Sequence, residues 1–151
     1  MGDDVRALFD RWVDAVSRGD WDTAGTMVHP DFIDEMPQTG ERTRGWNNMR
    51  AAVEHYPGAG GASPGEMHEF HLISPDERFA MTPAYTLVKV EGSGDLHVAT
   101  ARVGYPDGSY WRMVVLARLK DGKLWRTTSY YAPELPAPEW RKEWVERMEA
   151  P

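Results

Sequence analysis

The chain has 151 residues, a formal net charge of −7 and no cysteine. These values exclude a disulfide framework, a thiolate metal site and a cysteine nucleophile, and the acidic balance argues against nucleic acid as a partner. The acidic, amphipathic start MGDDVRALFD is not typical of a secretory signal, and no apolar run is long enough to span a membrane. We therefore expect a cytoplasmic protein with no membrane partner.

Three helices are predicted in the first third of the chain. Apolar residues recur at helical spacing over residues 3–17. Asp20 is a good N-cap for a short second helix, which the His29-Pro30 pair closes. A third helix carries apolar residues from Trp46 to Tyr56 and is stopped by proline.

The second half of the chain is predicted to form strands. They follow a Gly- and Pro-rich connector and are placed at residues 67–73, 78–91, 96–105, 110–120 and 123–131. Pro-Asp-Gly and Lys-Asp-Gly-Lys runs mark the last two hairpin turns. Helices followed by an antiparallel meander predict an α+β fold, with helices on one face of a curved sheet and a single domain over residues 1–151.

The end of the chain is predicted to be a short helix that begins at Pro138. Trp140, Trp144, Val145 and Met148 fall on one stripe of that helix. Prolines before it stiffen the chain, so we expect Trp140 and Trp144 to be buried in a groove.

Two adjacent carboxylates stand out in FIDEMPQTGERTRG, residues 32–45. If this is a strand whose Met36 faces a cavity, alternation places Asp34 on the same face and Glu35 on the opposite one. A bulge before Pro37 would reverse that assignment. Either carboxylate is therefore a candidate base with a raised pKa, and either could instead pair with Arg42 or Arg44 at a solvated strand end.

Arg102 is the one cation within a predicted inner strand, among Ala99, Ala101 and Val103. Buried cations are rare unless they are paired. It faces either a cavity, where it would stabilise negative charge, or solvent and a dimer seam.

The predicted last two strands present one apolar wall and one row of hydroxyls. Trp111, Met113 and Val115 share a face, as do Thr127, Ser129 and Tyr131. Such a lining suits an apolar or aromatic ligand with one or two polar groups, although a filled core is the alternative.

The histidines do not predict a metal site. His68 and His71 are three residues apart on a strand, which places them on opposite faces. His55 lies at a helix C-terminus, and His97 is expected to be exposed at the start of a strand. We expect neither a metal nor a cofactor.

Three segments together resemble the nuclear transport factor 2-like superfamily, in particular its SnoaL-like branch. They are RWVDAVSRGDWDTAGTMVHPDF, the Pro-Gln-Thr-Gly-Glu run and the closing KLWRTTSYYAP. That superfamily includes polyketide cyclases, ketosteroid isomerase and limonene epoxide hydrolase. The resemblance implies a cone-shaped, curved antiparallel sheet covered on one face by N-terminal helices, with a short C-terminal helix.

The catalytic groups that this resemblance would imply are not matched. Trp12 stands where ketosteroid isomerase has a tyrosine, Met36 where it has its aspartate base, and Val115 near its protonated aspartate. The carboxylates of the epoxide hydrolase and of the SnoaL-type cyclases are also missing.

The resulting functional expectation is a SnoaL-like enzyme acting on a hydrophobic small molecule by acid–base chemistry. Isomerisation, cyclisation, dehydration and hydrolysis stay open, and a non-catalytic ligand-binding or accessory protein is the alternative. The expected catalytic residues are Glu35, Asp34 and Arg102. The expected substrate-binding residues are Trp12, Met36, Tyr56, Trp111, Met113, Val115, Ser129 and Tyr131.

Strands 96–105 and 110–120 are apolar on both faces. One face can pack on the helices, and the other then needs a cover. A second copy is the expected cover, which predicts a homodimer through the sheet.

Overall fold

The computed structural model describes residues 2–58, 66–73 and 96–148. Its helices are α1 (Gly2–Ser17), α2 (Trp21–Thr26) and α3 (Trp46–Glu54). Its strands are β1 (Val28–Met36), β2 (Glu41–Arg44), β3 (Glu66–Ile73), β4 (Leu96–Gly104), β5 (Tyr110–Lys120) and β6 (Lys123–Pro133). The three N-terminal helices and four of the five predicted strands are confirmed, and the predicted strand at 78–91 lies outside the described residues.

The strands form one open sheet in the order β2-β1-β6-β5-β4-β3. Neighbouring strands are antiparallel except β1 and β6, which run parallel. The parallel pair joins the first strand of the chain to the last, so the β1 carboxylates lie beside the β6 hydroxyls. Asp34 is in register with Thr127 and Glu35 with Thr128.

The acidic stretch forms a β-hairpin that the sequence interpretation only partly anticipated. Its first strand begins at Val28 rather than Phe32, and β2 pairs back onto it. Gly40 adopts a φ of 75° in the connecting turn, a conformation that glycine adopts at little cost. The hairpin register places Glu35 directly opposite Arg42.

The helices cover one face of the sheet. Phe9 of α1 packs with Val28, Phe32, Ala117 and Leu124 of the strands. Trp46 links α3 to α2, because its Nε1 donates a hydrogen bond to the Trp21 carbonyl oxygen at 3.2 Å. A Cβ at position 25 would lie 2.5 Å from that nitrogen, so this packing requires Gly25. None of the helices in the described ranges is long and apolar enough to cross a membrane.

The expectation that Trp140 and Trp144 are buried is wrong. Their exposed fractions are 74% and 75%, and regular structure here is limited to a 3-10 turn at Glu139–Arg141. A short helix is marginal in water unless its apolar stripe packs against something. Within the described ranges the stripe stays exposed, consistent with the largely irregular backbone of this segment.

The sheet face that points away from the helices is only partly buried. On this outer face, Val98 of β4 pairs with Leu116 of β5. Thr100 of β4 pairs with Val114 of β5, which in turn pairs with Tyr130 of β6. Val114 and Tyr130 keep exposed fractions of 38% and 40%. Strands β4 and β5 therefore carry apolar side chains on both faces, as the sequence predicted.

Candidate active site

A cavity of about 400 Å³ lies between the helices and the inner face of the sheet. Its wall is mostly apolar, with Phe9, Trp12, Phe32, Met36, Trp46, Met49, Met113 and Val115 among the lining residues. Its polar lining consists of Asp34, Thr43, Thr127, Ser129 and the tyrosines 56, 105 and 131. Among the described residues that line the cavity, Asp34 carries the single carboxyl group.

Strand alternation decides which of the two adjacent carboxylates enters the cavity. Asp34 and Met36 both line it, and Asp34 is only 4% exposed. Glu35 points to the opposite face, where its Oε1 lies 2.7 Å from Nη2 of Arg42. The solvated pairing that the sequence left open for both acids therefore applies to Glu35, and the inward orientation to Asp34.

Two hydroxyl groups hold one oxygen of Asp34. Thr127 Oγ1 donates to Oδ1 at 2.6 Å, and Ser129 Oγ donates to the same atom at 2.7 Å. Thr127 is the register partner of Asp34, and Ser129 follows two residues later on the same face of β6. Oδ2 makes no hydrogen bond within the part of the chain that the structure describes. It is therefore the oxygen available to a bound molecule.

Burial controls the protonation of Asp34. Removal from water raises the pKa of its carboxyl group above the ordinary value, and the hydrogen bonds from Thr127 and Ser129 oppose this only in part. The negative charge of neighbouring Glu35 raises the pKa slightly further. A carboxyl group in this environment exchanges its proton closer to neutral pH than a surface aspartate does.

Three tyrosines add further polar groups to the cavity lining. Tyr131 follows Ser129 by two residues on the same face, and burial raises the pKa of its phenol far above the usual range. Burial also raises the pKa of Tyr105, whose ring stacks on Tyr56 at 5.7 Å between centroids. Tyr56 lines the cavity and is 39% exposed. Tyr131 and Tyr105 are thus neutral hydrogen-bond donors at physiological pH.

Trp12 contributes a second kind of donor to the wall. Its Nε1 is the one side-chain nitrogen or oxygen in the described ranges that is fully buried without a hydrogen-bond partner. A buried donor left without a partner costs about 1–3 kcal/mol. A bound acceptor that reached this nitrogen after a small ring movement would remove that cost.

Seven of the eight predicted substrate-binding residues line the cavity: Trp12, Met36, Tyr56, Met113, Val115, Ser129 and Tyr131. Trp111 does not. It lies near the start of β5, where its indole N–H donates to Ser109 Oγ at 3.1 Å and its ring meets the edge of Tyr105. Trp111 therefore packs against Tyr105, which lines the cavity, and does not line the cavity itself.

Of the two orientations that the sequence left open for Arg102, the structure has the outward one and not the one that faces the cavity. On β4 the buried residues Ala99, Ala101 and Val103 alternate with it, which turns Arg102 to the outer face. Its guanidinium donates to both carboxylate oxygens of Glu134, at 2.7 and 3.1 Å, and lies 3.5 Å above the Tyr110 ring. This cation is satisfied by a carboxylate and an aromatic ring outside the site.

None of the histidines whose side chains the structure describes lines the cavity. His97 was expected to be exposed but is 3% exposed, with its ring 6.1 Å from that of Phe9. His55 is exposed at the end of α3, with Nδ1 2.8 Å from the Ala51 carbonyl oxygen. His68 lies beside Tyr110, and the side chain of His71 is outside the described part of the structure. No group of three metal-ligating side chains occurs among the described residues.

Sequence reasoning missed several lining residues, among them Tyr105 and Trp46. Tyr105 immediately precedes the Pro-Asp-Gly turn, and Trp46 opens α3, so both were assigned to element ends. Thr127 was recognised as an inward hydroxyl, but its bond to Asp34 depends on the parallel pairing of β1 with β6. No local pattern indicates that long-range pair.

Comparison with known proteins agrees with this geometry. The sequence profile of the SnoaL-like domain matches residues 9–127. The chain belongs to the SnoaL-like domain family. Among curated proteins, none matches the sequence significantly.

Solved structures similar to this SnoaL-like chain have the nuclear transport factor 2-like fold. One is an NTF-2 like protein of unknown function from Burkholderia xenovorans LB400, with 24% identity, 98% coverage of both chains and a TM-score of 0.69. A Kribbella flavida DSM 17836 protein, provisionally named a ketosteroid isomerase, has 21% identity, covers 98% of this chain and 92% of its own, and gives 0.66. A Xanthomonas campestris pv. campestris protein, provisionally named a polyketide cyclase, has 18% identity, with coverage of 86% and 91% and a TM-score of 0.63. These likenesses establish the fold.

The raised pKa of Asp34 predicts a specific pH dependence of stability. An unfolded aspartate loses its proton near pH 3.9, whereas folded Asp34 keeps its proton to a higher pH. The contribution of Asp34 to stability therefore falls as pH rises from about 3.9 to the folded pKa and then levels off. The amide oxygen of Asn in Asp34→Asn can accept the same two hydrogen bonds. Because this side chain does not ionise, the variant does not lose stability in this pH range.

Urea unfolding followed by tryptophan fluorescence, at a series of pH values, measures the effect. The free energy of unfolding of Asp34→Asn, minus that of the wild type, should increase as pH rises from about 3.9 to the folded pKa of Asp34. Glu35→Gln is the matched control, because it removes a carboxylate from the same strand on the face opposite the cavity. A pH-independent difference for Asp34→Asn would contradict the assigned environment.

Proposed function

We propose that this SnoaL-like protein is an enzyme that moves a proton on a hydrophobic small molecule, with Asp34 as the general acid–base. The observation that carries the proposal is a buried carboxyl group that lines an apolar cavity and has one oxygen held by two hydroxyls. Isomerisation, cyclisation, dehydration and hydrolysis all include such a step.

The environment suits general acid–base catalysis. A base works best when its pKa lies near the operating pH, and burial moves the pKa of Asp34 in that direction. Fixing Oδ1 also fixes the orientation of the carboxyl group, so that Oδ2 is held in one direction. A positioned general base contributes about 10²–10⁴-fold to a rate.

Tyr131 is the second polar group in the proposal. It is a neutral donor two residues from Ser129, about 7 Å further along the strand. A ligand oxygen that accepts a hydrogen bond from Tyr131 would hold a neighbouring acidic proton within reach of Asp34. Ser129 acts here by fixing the carboxylate, and Trp12, Met36, Met113 and Val115 form the apolar wall.

Glu35 and Arg102 take no catalytic part in this proposal, because both lie outside the cavity. The names of two neighbours give independent support, since isomerase and polyketide cyclase reactions both move protons. The apolar wall supports a second candidate, a non-catalytic protein that binds the same class of molecule. We also propose that the protein forms a homodimer through the outer face of its sheet.

The test of the catalytic proposal begins with native mass spectrometry of freshly purified protein, which identifies a co-purified ligand. Conversion of that ligand is then followed with the wild type and with variants. Asp34→Asn should lower kcat by on the order of a hundred-fold or more while the protein stays folded. Glu35→Gln and Arg102→Met, the outward-facing controls, should stay within a few-fold of the wild type.

Equal turnover by Asp34→Asn and the wild type would refute the role of Asp34. Tight binding with no turnover by the wild type itself would establish the non-catalytic alternative.

Tyr131 can be tested without knowing the natural ligand. Acetylnaphthalene and isopropenylnaphthalene have nearly the same shape and differ in carrying a carbonyl oxygen or a methylene group. We expect the ketone to bind about fivefold more tightly, because a neutral hydrogen bond contributes about 1 kcal/mol. The preference should disappear in Tyr131→Phe and persist in Tyr130→Phe, whose side chain points to the outer face. An unchanged preference in Tyr131→Phe, measured by fluorescence titration, would show that this phenol does not contact the ligand oxygen.

A further inference from the structure

The C-terminal segment, residues 134–148, exposes several large apolar side chains. Leu135, Trp140, Trp144 and Met148 are 80%, 74%, 75% and 93% exposed, and Val145 is 48% exposed. Such a cluster of large apolar side chains in water marks an interaction site.

On a helix this segment would present two adjacent and different edges. At 100° per residue, Trp140, Trp144 and Met148 form one stripe, and Glu139, Glu143 and Glu146 form an acidic edge beside it, with Arg147 at the boundary between the two. The structure shows only a 3-10 turn here. A surface that covered the stripe would supply the packing that a helix of this length requires.

The outer face of the sheet has the complementary properties. It exposes Val114 and Tyr130, and Arg118 of β5 lies directly opposite Arg126 of β6. Like charges opposite one another on neighbouring strands destabilise a sheet unless a counter-charge joins them. Within the described ranges, no carboxylate lies within ion-pair distance of either arginine.

A second arginine pair on the same face shows how such a pair is neutralised. Arg102 lies opposite Arg112, and Glu134, the first residue of the C-terminal segment, bridges the two. Its Oε1 lies 2.7 Å from Nε of Arg102 and 3.1 Å from Nε of Arg112. A carboxylate of the C-terminal segment is thus already the partner of outer-face arginines at one end of β5.

The Arg118–Arg126 pair lies at the other end of β5, six residues from Arg112 and thus about 20 Å along the strand. The same chain contains both the apolar stripe and this face, yet leaves both exposed, so the segment does not fold back on its own sheet. In a dimer whose two-fold axis is perpendicular to the strands, the first residues of the C-terminal segment of one copy would lie over the sheet of the other copy. They would lie at the end of β5 that carries Arg118. Ten helical residues span about 15 Å, close to the width of strands β6 to β3.

We propose that the C-terminal segment of each copy docks as a helix on the outer face of a second copy, with its glutamates on Arg118 and Arg126 and its tryptophans over Val114 and Tyr130. The exchange is reciprocal, as two-fold symmetry requires. It adds an identified contact to the proposed homodimer and is independent of the chemistry in the cavity.

Charge reversal in two separate chains tests the docking. One chain carries Arg118→Glu and Arg126→Glu, and the other carries Glu139→Arg and Glu143→Arg; all four positions are at the surface or partly exposed. Sedimentation velocity should show a dimer for the wild type. Each variant alone should dissociate with a Kd raised by about tenfold or more.

An equimolar mixture of the two variants should restore the dimer, because each segment then meets an oppositely charged face. Trp140→Ala with Trp144→Ala should dissociate the dimer and should not be rescued by either charge variant. Circular dichroism should show a gain of helix when the wild type dimerises. A monomeric wild type, a dimer that survives removal of residues 137–151, or a mixture that stays monomeric would overturn the proposal.

Discussion

Two hydrogen bonds, from Thr127 and Ser129 to the same oxygen of Asp34, are the interaction on which the candidate site depends. They exist because β1 pairs in parallel with β6, which sets Asp34 beside Thr127. Without them, a carboxyl group that is 4% exposed in an apolar cavity would face the full cost of desolvation. With them, one oxygen is anchored and the other stays available. The two hydroxyl donors carry no charge, so they add none to the cavity beside Asp34.

The balance between burial and hydrogen bonding determines what this carboxyl group can do. Stronger hydrogen bonding, for example from an arginine, would hold the carboxylate ionised and make it a weak base. Here the donors are two neutral hydroxyls, and burial remains the dominant influence on the pKa. Arg102 lies on the outer face of the sheet, where it contacts Glu134 and Tyr110. Among the described residues that line the cavity, Asp34 is thus the single carboxylate and none is a lysine or arginine; functional groups of this kind commonly cost some stability.

Much of the fold and part of the site could be predicted from the sequence. Periodicity located the helices and most strands, and alternation placed Asp34 on the same face as Met36. Periodicity did not identify the carboxylate partners, because Thr127 and Ser129 lie more than ninety residues from Asp34 along the chain. Arg102 was uncertain because a strand with apolar residues on both faces does not show which face is inner. Trp140 and Trp144 were misplaced because a helical stripe indicates that a segment needs a partner, not that its own chain provides one.

The central claim is that Asp34 is a buried acid–base group and not a structural anchor that stays ionised. The most direct measurement is an infrared pH titration of the carboxyl band that is present in the wild type and lost in Asp34→Asn. The account predicts that this group titrates with a midpoint clearly above the ordinary aspartate value of about 3.9. A midpoint at or below that value would mean that the hydroxyl hydrogen bonds outweigh burial, and it would contradict the assignment of Asp34 as the proton-transfer residue.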